Sequence, residues 1–236
     1  MNITKENIVR TCDEQEIINE LLSLDHKNIM EIGCGKAAIT RNIATNGVGR
    51  QIIAFEIDEI QHQENLKIAD LPNVIFKSGA AEAIEAADNS TDVIFMFKSL
   101  HHVPIDSMAR AFSEIHRVLK ANGFIYISEP IFAGEFNEIL RLFHNEEAVR
   151  AAAFNAEKEA VASGKFKLVE QVYFNAPMHF EDFATFEKMV LGVTHTDFAI
   201  SPETFDKVKQ SFESHLGADG AHFKMPIRVD LLQCIK

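Results

Sequence analysis

The stretch Met30-Glu31-Ile32-Gly33-Cys34-Gly35-Lys36-Ala37-Ala38 constrains this chain more than any other. Ile29 to Ile32 read as a short apolar strand and the glycines as a turn. Ile39 and Ile43 mark one face of the helix that follows, running toward Gly47. Glycine lacks a Cβ, so such a turn takes unusual dihedrals and lets a ligand lie against the main chain. The helix start beyond it presents free N–H groups and a positive dipole end to an anion or a carboxylate. Strand, glycine turn and helix in that order build a nucleotide-type cleft at the carboxyl ends of a parallel sheet.

The remaining segments read as walls of that cleft. Asp13 and Glu16 have capping-box spacing and open a helix through Ile17, Ile18, Leu21 and Leu22. Ahead of it, Asn2 to Arg10 form a short helix or an arm over the cleft. Gln51 to Ile57 are a second strand. Glu56 ends it, roughly twenty residues beyond the turn, where nucleotide folds place a ribose-binding acid. A helix from Glu59 to about Ala69, a strand from Val74 to Lys77 and the turn Gly79-Ala80-Ala81-Glu82 follow. The run Val93 to Phe97 lacks alternation, as a strand covered on both faces does. It leads into Ser99-Leu100-His101-His102-Val103-Pro104. Asp106 then caps a helix bearing Met108, Phe112, Ile115 and Leu119, Asn122-Gly123 stop it, and Phe124 to Ser128 form strand five, ending in Glu129-Pro130. This alternation predicts an α/β fold around a parallel sheet.

After Pro130 the rhythm changes. Gly134 to about Ser163 read as one long helix or two, and Phe166 to Asn175 as a strand. Phe180 to Leu191 and Pro202 to Leu216 read as helices, and Lys224 to Ile235 as a final strand. Phenylalanine is dense here; most of these rings belong in a core, with two or three left to line an acceptor pocket. Lys188, Arg141 and Arg150 are expected on solvated helix faces.

With 236 residues and 47% hydrophobic content the chain can bury one full core. A net charge of −12 argues against nucleic acid as a partner. Cys12, Cys34 and Cys234 have no paired spacing, which fits a reducing compartment without a disulfide framework or zinc site. The acidic N-terminal segment is unlike a signal peptide, and no apolar run is long enough for a bilayer, so the expected location is the cytoplasm.

Taken together, Glu31-Ile32-Gly33-Cys34-Gly35, Glu56, Ala81-Glu82, Asp92 through His101-His102-Val103, and Glu114-Ile115-His116-Arg117-Val118-Leu119-Lys120 with Gly123 resemble the Rossmann-like (class I) S-adenosylmethionine-dependent methyltransferases, small-molecule branch. The resemblance covers about Asp25 to Pro130. It implies a doubly wound, mostly parallel seven-stranded sheet with an antiparallel final strand and an α-rich cap after strand five. Residues 1–236 would be a single domain: a cofactor-binding core (1–130), a helical cap (131–166) and C-terminal strands and helices (167–236). Glu31 would hold the ammonium of the methionine portion, Gly33, Cys34 and Gly35 would border the cofactor, and Glu56 would accept from the ribose hydroxyls. Ile57 would lie against the adenine, Ala81 and Glu82 at its edge, and Lys98 and Ser99 beside the methionine and methyl group. Ala37 stands where a third glycine is common, and Ala80 where many relatives carry an aspartate for the adenine amino group.

The implied reaction is methyl transfer to a small-molecule O, N, S or C nucleophile, with no nucleic-acid or membrane partner; a homodimer is left open. His101 and His102, with pKa values expected near neutrality, and Glu129 are the candidate general bases. No metal is expected: adjacent histidines in an extended segment point to opposite sides, and His195, Asp197 and His222 add no ligand spacing. Two rivals remain. Gly33-x-Gly35-x-x-Ala38 with Glu56 also satisfies a dinucleotide fingerprint, although Glu31 in the turn would repel a pyrophosphate; an NAD-dependent oxidoreductase is therefore the enzyme alternative. A non-catalytic cofactor-fold binding protein is the other.

Overall fold

The computed structural model describes residues 1–194, 196 and 198–236. Its centre is a sheet of eight strands. Five parallel strands come from residues 28–130: β1 (Asn28–Ile32), β2 (Gln51–Glu56), β3 (Val74–Ser78), β4 (Thr91–Phe97) and β5 (Leu119–Pro130). The second half adds β6 (Phe166–Phe180), the two-residue β7 (Leu216–Gly217) and β8 (Gly220–Cys234). The spatial order is β3-β2-β1-β4-β5-β8-β6, with β7 paired to β8 at its start. β8 runs antiparallel between β5 and β6, as the resemblance implied. The sheet thus has one strand more than expected, because the turn before β8 folds back as a minimal hairpin.

Helices cover both faces. On one side α4 (Met108–Val118) and α6 (Glu147–Ala162) pack Met108, Phe112, Ile115 and Ala153 onto Met30, Ile94, Met96, Ile125 and Ile127. On the other, α1 (Glu14–Leu21) and α2 (Ala38–Thr45) bring Ile17, Ile18 and Ile43 onto Ile29, Ile52, Val93 and Phe95. Successive residues of β4 therefore enter opposite cores, which explains its unbroken apolar run. Each fully buried side chain of this size contributes about 1.5–3 kcal/mol.

Local chemistry sets the element ends. The Glu16 side chain accepts the Asp13 N–H at 3.3 Å, completing the expected start of α1. Asp58 caps α3 (Glu59–Asn65), its carboxylate accepting from Ile60 N–H at 3.0 Å. Asp106 does not cap α4; it sits in a 3-10 turn, Ile105–Ser107, that leads into the helix. Asn122-Gly123 do not stop α4 either: the helix ends at Val118, and these residues fall in an irregular stretch of β5 where the register against β4 shifts. The N-terminal segment is an arm rather than a helix. It lies along edge strand β6: Tyr173 Oη donates to the Asn2 carbonyl at 2.6 Å and Asn175 Nδ2 to that of Ile8 at 2.8 Å.

Between Pro130 and β6 lie two helices, α5 (Glu135–Leu140) and α6. The β6–β8 ladder continues to Phe180↔Ala221, whereas pairing of β5 to β8 stops at Pro130↔Ile227. The β6–β8 ribbon thus outruns the sheet, and its free end carries a second core. Phe136 and Ile139 of α5 meet Phe180, Phe183, Phe186, Phe212 and Phe223 there, with α7 (Phe183–Phe186), continued by a π turn (Glu187–Leu191), and α8 (Pro202–Glu213). Most phenylalanines of the second half pack this cluster.

Candidate active site

β1 carries Glu31 into the interior one residue before Ile32 and the turn. Its carboxyl is 2% exposed and accepts from Thr40 Oγ1, in the first turn of α2, at 2.6 Å. Burial raises its pKa to about 8; the Thr40 bond opposes this and the nearby Glu56 charge adds to it. Glu56, at the end of β2, accepts the Gly35 N–H at 2.7 Å on one oxygen and the Asp58 N–H at 2.9 Å on the other. Two carboxylates thus flank one turn. Among the described residues, neither has a lysine, arginine or histidine partner.

The turn itself requires glycine at its first position. Gly33 has φ +77°, and a Cβ there would stand 2.6 Å from the Ser99 Cβ. Ser99 is fixed by its own bond, Oγ to the Ile32 carbonyl at 2.7 Å. At Gly35, φ is +51° and a Cβ would meet nothing within 4 Å, so this side of the turn faces open space. Ala37 adopts the left-handed conformation despite its side chain, at φ +57°. The turn does not present the free donors expected of an anion cradle. The N–H groups of Gly33 and Cys34 both donate to the Phe55 carbonyl at 2.9 Å, and that of Gly35 is taken by Glu56. Cys34 is buried, and its thiol pKa is pushed up by burial and then by Glu31 and Glu56, so it is no nucleophile. Ile57, just past Glu56, is 67% exposed, Ala81 is buried and Glu82 is half-buried. Lys98 is exposed in a left-handed conformation after β4, its N–H donating to the Ser128 carbonyl at 2.7 Å.

A second cluster occupies the end of β4. Leu100–His102 form a 3-10 turn, not an extended segment. The rings of His101 and His102 therefore approach to 4.2 Å between centroids instead of diverging. His101 is buried. Its Nδ1 bonds a carboxylate oxygen of Glu129, whose other oxygen accepts the Leu100 N–H at 2.9 Å. Its Nε2 lies 3.4 Å from Oε1 of Glu146, the N-cap residue of α6. His144 Nε2 stands 3.1 Å from that same oxygen, and Arg150 Nη2 donates to the other. Burial alone would lower the His101 pKa, but Glu129 and then Glu146 outweigh it and hold it at about 9. His101 is thus an imidazolium at neutral pH, without the lone pair a general base needs. The expectation of a neutral-range value overlooked two buried carboxylates. Arg150, expected on a solvated face, is buried against Glu146 for the same reason.

Comparison with known proteins accords with this geometry. Residues 30–127 match the methyltransferase domain family. Over 108 residues the chain is 30% identical to an uncharacterised methyltransferase of Mycobacterium tuberculosis, covering 46% of this chain and 42% of the relative. It is 25% identical over 114 residues to a sterol 24-C-methyltransferase of Yarrowia lipolytica, covering 47% of this chain and 29% of that one. The YcgJ protein of Bacillus subtilis superposes with a TM-score of 0.63 at 13% identity, over 94% of this chain and 97% of that one. The cyclase SpnF superposes with a TM-score of 0.60 at 16% identity, over 93% of this chain and 79% of that one.

The chain resembles methyltransferases over the stretch 30–127, from β1 into β5. It spans about two fifths of the length of the first curated relatives it matches, 42% in each case. The matched stretch of the methyltransferase domain holds Glu31, Gly33, Cys34, Gly35, Glu56, Ile57, Ala81, Glu82, Lys98, Ser99, His101 and His102, while Glu129 lies beyond it. β1, β2 and the start of α2 bring Glu31, Gly33, Gly35 and Glu56 around one crevice; His101 and Glu129 are joined in a separate buried cluster, and His102 stands exposed beside it. His195 and Asp197 lie outside the described residues. Sequence reading missed Thr40 and Glu146. Thr40 had a signal, since a hydroxyl in the first turn after a glycine loop sits beside the strand end. Glu146 had none, being brought to His101 only by the path of the chain after β5.

Proposed function

We propose that this chain binds S-adenosylmethionine in the β1–β2 crevice and transfers its methyl group to a small-molecule nucleophile, releasing S-adenosylhomocysteine. The observation that carries this reading is the pair Glu31 and Glu56. Both are buried beside a glycine turn, and no protein cation compensates either among the described residues. A ligand with a cationic end fits such a place. The residues present suit the nucleoside: Glu31 for the ammonium, Glu56 for the ribose hydroxyls, exposed Ile57 for the adenine with Ala81 and Glu82 at its edge, and Lys98 and Ser99 along the methionine. Glu56 retains a lone pair on each oxygen after accepting one backbone bond.

When bound, the sulfonium supplies an electrophilic methyl group. The chain's own task is then to hold the acceptor atom in line with it and to keep water out. His101 and Glu129 act as positioning residues, fixing the turn after β4 through Leu100 N–H. His102, exposed on that turn, is the candidate for contact with an acceptor. One relative is named for a sterol acceptor, which supports a small molecule over a macromolecule. No helix among the described residues is long and apolar enough to cross a membrane, and we place the reaction in the cytoplasm.

An NAD-dependent oxidoreductase is disfavoured by the turn, where the N–H groups of Gly33 and Cys34 are taken by the Phe55 carbonyl and that of Gly35 by Glu56, leaving little for a pyrophosphate. A cyclase among the fold neighbours keeps a non-methylating use of the same fold in view. Calorimetry with S-adenosylmethionine, S-adenosylhomocysteine and NAD separates these readings. The proposal expects the first two to bind and NAD not to; binding of NAD alone, or of none, overturns it. Screening metabolite extracts for S-adenosylhomocysteine release would then identify the acceptor.

A further inference from the structure

The cluster beyond β4 has a feature that its ion pairs do not explain. His101 Nε2 and Glu146 Oε1 face each other at 3.4 Å, long for a charged hydrogen bond in a site where every other polar contact is closer. Two donors on one tetrahedral zinc-class ion, each at about 2.0–2.2 Å, stand about 3.3–3.5 Å apart. One ligand atom from each of His101, His102 and Glu146 lies within 4.8 Å of the other two.

We propose that His101, His102 and Glu146 form a binding site for one divalent transition-metal ion of the zinc class. Two imidazoles and one carboxylate select such an ion over magnesium or calcium, which prefer all-oxygen shells. The supporting shell is already in place. Glu129 holds His101 by Nδ1, leaving Nε2 directed at the gap, where the incoming ion takes the place of the Nε2 proton, which is released to solvent; this is the carboxylate–histidine arrangement that orients metal-bound imidazoles. Arg150 and His144 hold the Glu146 carboxylate from its two ends. Closing the site requires only movement of His102, the one exposed member. The 3-10 turn permits this, because neighbouring side chains there diverge by about 120° rather than the 180° of a strand.

This site is independent of the donor crevice, so its test does not depend on methyl transfer. The purified chain, stripped with chelator at mildly alkaline pH, would be titrated with cobalt(II) and followed by visible absorption and bound-metal content. The expected result is one cobalt per chain with d–d bands of a low-coordinate site. His102→Ala, at an exposed position, should abolish those bands while S-adenosylmethionine affinity is checked separately. Glu129→Gln, which keeps the shape of the side chain, should weaken binding by about 10–100-fold. His222→Ala removes a second close histidine pair among the described residues, His179 and His222 at 4.5 Å, and should change nothing. Absence of stoichiometric cobalt in the wild type overturns the site, as does a spectrum that survives His102→Ala or is lost with His222→Ala.

Discussion

Two pairs of buried carboxylates lie at the carboxyl edge of the same sheet, and they are treated in opposite ways. Glu129 and Glu146 share His101, Glu146 is further paired with Arg150 and Glu129 feels the Arg228 charge, so their pKa values are held below the ordinary carboxylate range. Glu31 and Glu56 share only hydroxyl and backbone donors, and burial drives Glu31 up to about 8. A carboxylate taken out of water needs a counter-charge or keeps its proton. The first pair has a cation of the chain built in; the second lacks one and is suited to the cationic end of a ligand. The same residue type thus has its counter-charge within the chain at β4–β5 and lacks one at β1–β2.

The widest gap between the pairs should open with His101→Leu, which leaves Glu129 and Glu146 buried without their shared cation. The expected loss is about 3–5 kcal/mol in urea unfolding, whereas Glu31→Gln should cost little or stabilise. Equal losses at the two positions would erase the contrast. Gly33→Ala comes next: its Cβ would collide with Ser99, so we expect a stability loss of about 1–3 kcal/mol and a matching failure to bind the nucleoside. Unperturbed binding in that variant would mean the crevice lies elsewhere.

Glu56→Ala probes the open pair from the ligand side and should weaken S-adenosylmethionine binding by about 1–3 kcal/mol. Unchanged affinity by calorimetry would remove the ribose assignment. The smallest effect concerns protons. Glu31 has a pKa of about 8 in the fold against an ordinary 4.5, so the native state binds more protons than the unfolded chain between those values. Stability contributed at this position therefore declines as pH rises across that window. Glu31→Gln should flatten the decline. It should also abolish the fraction of a proton released when the cationic nucleoside binds at pH 7, read as buffer-dependent binding heat. A buffer dependence that persists in the variant would show that the proton comes from another group.

The donor crevice was legible residue by residue because its parts are local or follow strand by strand. Strand, glycine turn and helix start are contiguous, and Glu56 sits at the end of the next strand, so the parallel order of β1 and β2 is enough to align them. The histidine cluster was not legible in this way. His101 was readable as a base because an isolated imidazole titrates near neutrality; Glu146, 45 residues later, changes that value only once α5 and α6 fold back over the turn. The expected divergence of His101 and His102 failed for a similar reason, since a strand period was applied to three residues that coil.

From its sequence alone this chain determined an alternating α/β fold, an antiparallel closing strand by resemblance, and a glycine turn flanked by carboxylates, because periodicity and turn chemistry are properties of neighbours along the chain. Only the tertiary structure decided which carboxylates receive a counter-charge, where the β6–β8 ribbon leaves the sheet to carry its own phenylalanine core, and that Arg150 is buried. Those outcomes depend on electrostatics and packing between segments far apart in sequence, which no local pattern encodes.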